Sequence, residues 1–144
     1  MPSTILITDY HPGFRAQLRR WLCASFPMCH ILEATSGEET LSVAEVEPPD
    51  IVLMEIKLPR MSGLETAQKL KIRFPWTHVV ILTFGEELEY RIAASAVGAK
   101  ACMAKYNLGR ELLPVVSTLL DELCCGTMRR PCCNIGTYRG QELG

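Results

Sequence analysis

The stretch Ile51-Val52-Leu53-Met54-Glu55-Ile56-Lys57-Leu58-Pro59-Arg60-Met61-Ser62-Gly63 decides the fold. Four apolar residues without alternation run into a single carboxylate, and a turn punctuated by Pro59 and Gly63 follows. Unbroken apolar character marks a strand buried on both faces, the pattern of a parallel sheet covered by helices. Such a strand delivers its last side chain, Glu55, to the carboxyl edge of the sheet, where open α/β folds bind ligands.

Working outward, short β-type runs alternate with helix-period segments from Thr4 to Leu123. Thr4 to Thr8 reads as a first strand that ends at Asp9. Pro12 suits the opening turn of a helix, and Phe14, Leu18, Trp21 and Leu22 line one side of it. Cys29 to Ala34 is a second strand. Ser36 with Glu39 has capping-box spacing for a helix that runs to Glu47 and stops at Pro48-Pro49. Asp50 to Glu55 is the third strand, and Leu64, Ala67, Leu70 and Phe74 line the helix after it. Val79 to Thr83 is the fourth strand. Leu88, Ile92 and Ala96 mark a fourth helix, with Leu88 and Ile92 expected to face inward, Tyr90 outward, and Gly98 to supply the stop. Ala101 to Ala104 is the fifth strand. A stripe from Leu112 to Leu123 marks the fifth helix, which tolerates Pro114 only in its first turn. Five β-α units imply a doubly wound parallel sheet, flavodoxin-like, with right-handed crossovers and strand order 2-1-3-4-5. The domain is expected over residues 1–125, and the aperiodic, glycine-punctuated tail over 126–144 reads as linker or disorder.

Composition narrows the classes. The chain has 144 residues, 22% charged and 48% hydrophobic, which fits one folded domain. A net charge of −1 supplies no global basic field for nucleic acid. No signal-peptide pattern precedes Ile5, and no apolar run has the length of a membrane span. Seven cysteines, an odd number at uneven spacing, argue against a secreted disulfide framework. Cys23, Cys29 and Cys102 sit within apolar elements, where thiols act as small hydrophobes. A cytoplasmic setting is expected.

Asp9, Glu55, Thr83 and Lys105 close strands one, three, four and five, so a parallel sheet gathers them at one edge. In this order they resemble bacterial response-regulator receiver domains, and the resemblance covers Ile5 to Leu123. Asp9-Tyr10-His11-Pro12-Gly13-Phe14-Arg15 and Gly98-Ala99-Lys100 followed by Lys105 look like the LuxR-type subfamily. The resemblance implies an acidic pair that binds a divalent cation, a third-strand Asp that accepts a phosphoryl group, and a Thr and Lys that hold its oxygens. It also implies partners: a histidine kinase, an output protein or a second copy, through the face of helix four, strand five and helix five.

The departures fall in the pocket. Tyr10 replaces the second acid, Glu55 stands at the phosphoacceptor position, and Cys102 fills the aromatic switch position. Phosphoryl transfer needs an in-line nucleophile and neutralised equatorial oxygens. One extra methylene moves the nucleophile by about 1.5 Å, a serious misplacement for a near-attack geometry. Tyr10 removes a magnesium ligand and adds bulk at the ion's position. Asp9 and Glu55 against Lys105 leave one excess negative charge, so magnesium binding is expected to be weak or lost and no cofactor is expected. Two readings of Glu55 stay open: it pushes its carboxylate to the place of the phosphoryl group, within reach of Thr83 and Lys105, and holds a constitutive state, or the pocket has drifted out of use and is kept only because it folds.

The sequence therefore reads as an atypical receiver, not an enzyme and not phosphorylated, acting as a protein-interaction module in two-component signalling. Two alternatives stay open. One is a working phosphoacceptor despite the altered pocket. The other is a metal or redox protein that uses the cysteine pairs Cys124-Cys125 and Cys132-Cys133. Arg129, Arg130 and Arg139 lack interleaved aromatics, and no helix-turn-helix pattern follows the receiver-like region, so no nucleic-acid contact is expected within this chain. His11, His30 and His78 read as loop or surface histidines, and no metal site is expected.

Overall fold

Residues 2–85 and 88–125 are described by the computed structural model. Five strands, β1 (Thr4–Thr8), β2 (His30–Ala34), β3 (Ile51–Glu55), β4 (His78–Thr83) and β5 (Ala101–Ala104), alternate with five helices. The helices are α1 (Pro12–Ser25), α2 (Gly37–Val46), α3 (Gly63–Arg73), α4 (Leu88–Ala96) and α5 (Leu108–Cys125). All strand pairs are parallel, in the order β2-β1-β3-β4-β5. The flavodoxin-like architecture expected from the periodicities is the observed one. Strand limits differ from the sequence reading by a single residue, as β2 begins at His30, β3 at Ile51 and β4 at His78. The cysteine pairs at 124–125 and 132–133 and the tail over 126–144 lie outside the described side chains.

Alternation along each strand feeds two cores. Ile5, Ile7 and Leu53 pack with Leu18 and Leu22 of α1 and Leu112 and Val116 of α5 on one face. Leu6, Val52 and Met54 pack with Ala44 of α2, Ala67 and Leu70 of α3 and Ala94 of α4 on the other. Burial on both faces explains why β1, β3 and β4 read as continuous apolar runs.

The local punctuation has visible causes. Ser36 accepts a hydrogen bond from the Glu39 amide at 3.1 Å, while the Glu39 carboxylate accepts from the Thr35 amide at 2.7 Å. Ser62 caps α3 in the same way through the Glu65 amide. Gly63 is fixed by space: a Cβ there would lie 2.1 Å from the Glu55 carbonyl oxygen. Gly98 ends α4 at φ 86°, and the Ala99 and Gly98 amides donate to the Ala94 and Ser95 carbonyls. Those two bonds form a Schellman stop.

Five expectations are corrected. Leu88 and Ile92 do not face inward; they are 67% and 61% exposed. Ala94 is the buried residue of α4, with Tyr90 and Val97 packed against the same core. Positions 90, 94 and 97 share a helix face, and small Ala94 lets that face lie close to the sheet. Tyr90 is thus half-buried rather than free, with Lys57 Nζ 6.0 Å from its ring centroid. Pro114 lies inside α5, well past its first turn. It faces solvent, as does Arg110 one turn earlier, so the carbonyl that loses its N–H partner can be hydrated. Cys23 is exposed, and Cys29 and Cys102 are half-buried. His78 is fully buried because it opens β4, a strand covered on both sides.

Candidate functional site

The parallel ladders set the site. Thr8 pairs with Met54, Glu55 with Leu82 and Thr83 with Ala104, so Asp9, Glu55, Thr83 and Lys105 leave neighbouring strands at one edge. Lys105 opens a 3-10 turn, Lys105–Asn107, between β5 and α5. Its Nζ lies 2.7 Å from Asp9 Oδ2 and is ion-paired with Glu55 Oε1. Both carboxylates are fully buried. The ammonium also lies 4.1 Å from the Phe14 ring centroid and 4.5 Å from that of Phe84. Two aromatic faces at that distance favour a partly desolvated cation. Arg15 secures the end of β1 by donating to the Asp9 carbonyl at 2.7 Å and to the Glu33 carboxylate at 2.9 Å.

Asp9 and Glu55 differ in environment. Burial acts to raise the Asp9 pKa, but hydrogen bonds from Lys105 and the His11 amide outweigh it and hold the carboxyl below its usual range. Burial pushes the Glu55 pKa up, adjacent Asp9 adds to the rise, and Lys105 offsets only part of it. The single cation is therefore matched mainly to Asp9. Glu55 Oε2 has no hydrogen-bond partner among the described residues.

The remaining expected residues are not all in the cluster. Buried Thr83 donates its hydroxyl to the Gly85 carbonyl, so Glu55 engages Lys105 but no hydrogen bond from Thr83. Tyr10 is 57% exposed, its ring edge-on to His11. The substitution removes an acid, yet it does not place a ring among the buried carboxylates. Cys102 is half-buried on β5, where burial raises its thiol pKa.

His11, Phe14 and Phe84 are site residues that the sequence reading placed elsewhere or passed over. The His11 amide donates to Asp9 Oδ1 at 2.8 Å, and its Nδ1 lies 3.2 Å from the same oxygen. That two-residue return is an Asx turn, a habit of Asp before a loop. It could have placed His11 at the site. No pattern marked Phe84.

A magnesium ion of the kind the resemblance implies does not fit this donor set. Such an ion needs near-octahedral oxygen ligands. Here Asp9 Oδ2 and Glu55 Oε1 are taken by Lys105, Asp9 Oδ1 by His11, and the second acid position is the exposed Tyr10.

Residues 5–117 match the family model described as the response regulator receiver domain. The chain belongs to that family. The transcriptional activator protein ExaE of Pseudomonas putida is 39% identical over 98 residues, 68% of this chain and 45% of that protein. The nitrate/nitrite response regulator protein NarL of Escherichia coli (strain K12) is 30% identical over 112 residues, 78% of this chain and 52% of that protein. The chain thus spans about half the length of these curated relatives. A solved CheY-like receiver domain protein from Methanospirillum hungatei JF-1 superimposes with a TM-score of 0.77 at 28% identity, covering 85% of this chain and 96% of that one.

This receiver domain belongs to two-component signalling. Receivers of response regulators act with kinases and output domains and are in general not enzymes. Among the described residues no helix is long and apolar enough to cross a membrane.

Proposed function

We propose that this receiver is not phosphorylated at Glu55 and works as a cytoplasmic protein-interaction module, with weak magnesium binding and no reaction of its own. The observation that carries the reading is the bridge from Lys105 to both Asp9 and Glu55 inside a buried pocket. In a working receiver the lysine is needed at the phosphoryl oxygens; here its charge is already engaged. Phosphorylating Glu55 would have to break that ion pair and bring a charge of about −1.5 to −2 beside Asp9 without magnesium to balance it. The side chain is also one methylene longer than the acceptor the chemistry was built around. Partner contacts, with a kinase, an output protein or a second copy, use the surface rather than the pocket, and nucleic acid is not a partner of this chain itself.

Glu55 does not fully imitate a phosphoryl group, because Thr83 turns to Gly85 instead. The reading is therefore a fixed pocket held by Lys105, in which signalling does not depend on phosphodonor. A phosphoacceptor reading draws on one feature, the unpartnered Glu55 Oε2. Intact-mass measurement after treatment with a small-molecule phosphodonor and magnesium decides between them. The expected mass is unchanged; a stoichiometric phosphoryl adduct that disappears in Glu55→Gln overturns the proposal.

A further inference from the structure

One ammonium at the sheet edge serves two acids. Lys105 Nζ lies 2.7 Å from Asp9 Oδ2 and is in contact with Glu55 Oε1, and both carboxyl groups are fully buried. The acids are not equally provided for. Asp9 has the His11 amide as a further donor, whereas Glu55 Oε2 bonds to nothing among the described residues. Burial, with Asp9 alongside, pushes Glu55 toward its neutral form. The Phe14 and Phe84 rings close on the ammonium at 4.1 and 4.5 Å, and the lysine side chain is only 10% exposed. An amine, a neutral carboxyl group and a second carboxylate therefore meet where little water competes.

That is the set of groups an amide-forming condensation needs. In open water the amine is protonated and the acid ionised, so neither reacts. A neutral carboxyl accepts an electron pair far better than a carboxylate, and a neighbouring base frees the pair on nitrogen. Well-oriented groups within one molecule reach effective molarities of about 10⁵–10⁸ M, far above the concentration of the water that the condensation releases.

We propose that Lys105 and Glu55 join through an isopeptide bond, with Asp9 moving the proton. The Asp9 carboxylate takes a proton from the ammonium. The freed pair on Nζ attacks Glu55 Cδ, so that the C–N bond forms as the carbonyl π pair moves onto oxygen. The C–O bond then breaks and the Glu55 hydroxyl departs as water. Of the three ammonium protons, one stays on the amide nitrogen, one completes the water, and one leaves to solvent by way of Asp9. Nothing is oxidised or reduced. The bond ties the end of β3 to the 3-10 turn after β5 and consumes both the carboxyl group at position 55 and the lysine. The inference goes beyond the function proposed above and does not need it: that test reads mass gained after a donor, this one mass lost without any.

The test uses the full chain, reduced, alkylated at its thiols and denatured, after purification and again after prolonged incubation of the folded protein. Intact-mass measurement and fragment sequencing are the readouts. The expected mass is one water below that of the sequence, with a branched peptide that joins Lys105 to Glu55. Lys105→Arg should keep its sequence mass. Asp9→Asn, checked for folding by circular dichroism, should link about a hundredfold or more slowly, as loss of a proton-transfer group does. A full chain that keeps its sequence mass after incubation, a water loss that survives in Lys105→Arg, or a branch at Asp9 instead of Glu55 overturns the proposal. A folded Asp9→Asn that links as fast as the natural chain overturns the part given to Asp9.

Discussion

Glu55, a buried carboxylate, meets Lys105 at the sheet edge, and Asp9 meets the same ammonium from the neighbouring strand. Tyr10 and Glu55 stand where the receiver pattern has a second acid and an Asp, and on the function proposed above these two positions keep the pocket from binding magnesium and taking a phosphoryl group. Thr83 and Lys105 already stand at the matching strand ends. Tyr10→Asp with Glu55→Asp is therefore expected to restore magnesium binding and measurable phosphorylation. A shorter acid at 55 releases Lys105, and an acid at 10 replaces a missing oxygen ligand. The two changes should be strongly non-additive, because ligand and nucleophile act in one site. Magnesium titration and donor labelling of both single variants and the double variant check this. A folded double variant with no gain in either assay would mean that Thr83, turned toward Gly85, is also out of place.

Among the elements, α4 and β4 show where a pattern misleads. Large aliphatic residues at 88 and 92 suggested an inward stripe, but the face with the small residue, Ala94, approaches the sheet. Ile92→Ser should change stability by no more than about 0.5 kcal/mol, as exposed substitutions usually do. Ala94→Leu should cost about 1–3 kcal/mol by overpacking. Denaturant unfolding of the two variants measures the difference; the reverse ranking would restore the inward stripe. The outward pair leaves apolar surface on α4, beside the exposed Glu89 and Arg91, for the partner contacts proposed above.

β4 carries a titration of its own. His78 is fully buried, and neither ring nitrogen has a hydrogen-bond partner among the described residues. Burial lowers its pKa, and Lys100 and Lys71 lower it further against a small opposite effect of Glu122. With the folded pKa below the ordinary 6.5, the unfolded chain takes up the proton first as pH falls. Stability is thus expected to decline as pH drops through about 6.5, until the folded-state ring also titrates. His78→Leu should remove that slope and leave stability at neutral pH equal or higher, since an unbonded polar group is replaced by an apolar one. Parallel melts of the two proteins at pH 7.5 and 5.5 test this; equal slopes would show that His78 does not titrate in this range.

Over the whole molecule, the sheet was legible because strands buried on both faces have no alternation and the helices between them do. Ile51 to Gly63 alone fixed the direction and edge at which Glu55 emerges. The meeting of Asp9, Glu55 and Lys105 was legible as well, since strand ends in a parallel sheet must share an edge. The bond from the Thr83 hydroxyl to Gly85 was not legible, because a hydroxyl at a strand end can bond its own loop, a choice no spacing records. His11 and Phe84 were hidden because their roles come from loop geometry rather than from period.

On the function proposed above, Lys105 locks the pocket without magnesium or a phosphoryl group. Amide NMR spectra of the full chain, with and without magnesium and a phosphoryl-mimicking fluoride complex, test it most directly. The account predicts that the signals of Glu55, Thr83, Cys102 and Lys105 stay where they are. Saturable shifts of these signals that require magnesium and the mimic together would contradict it.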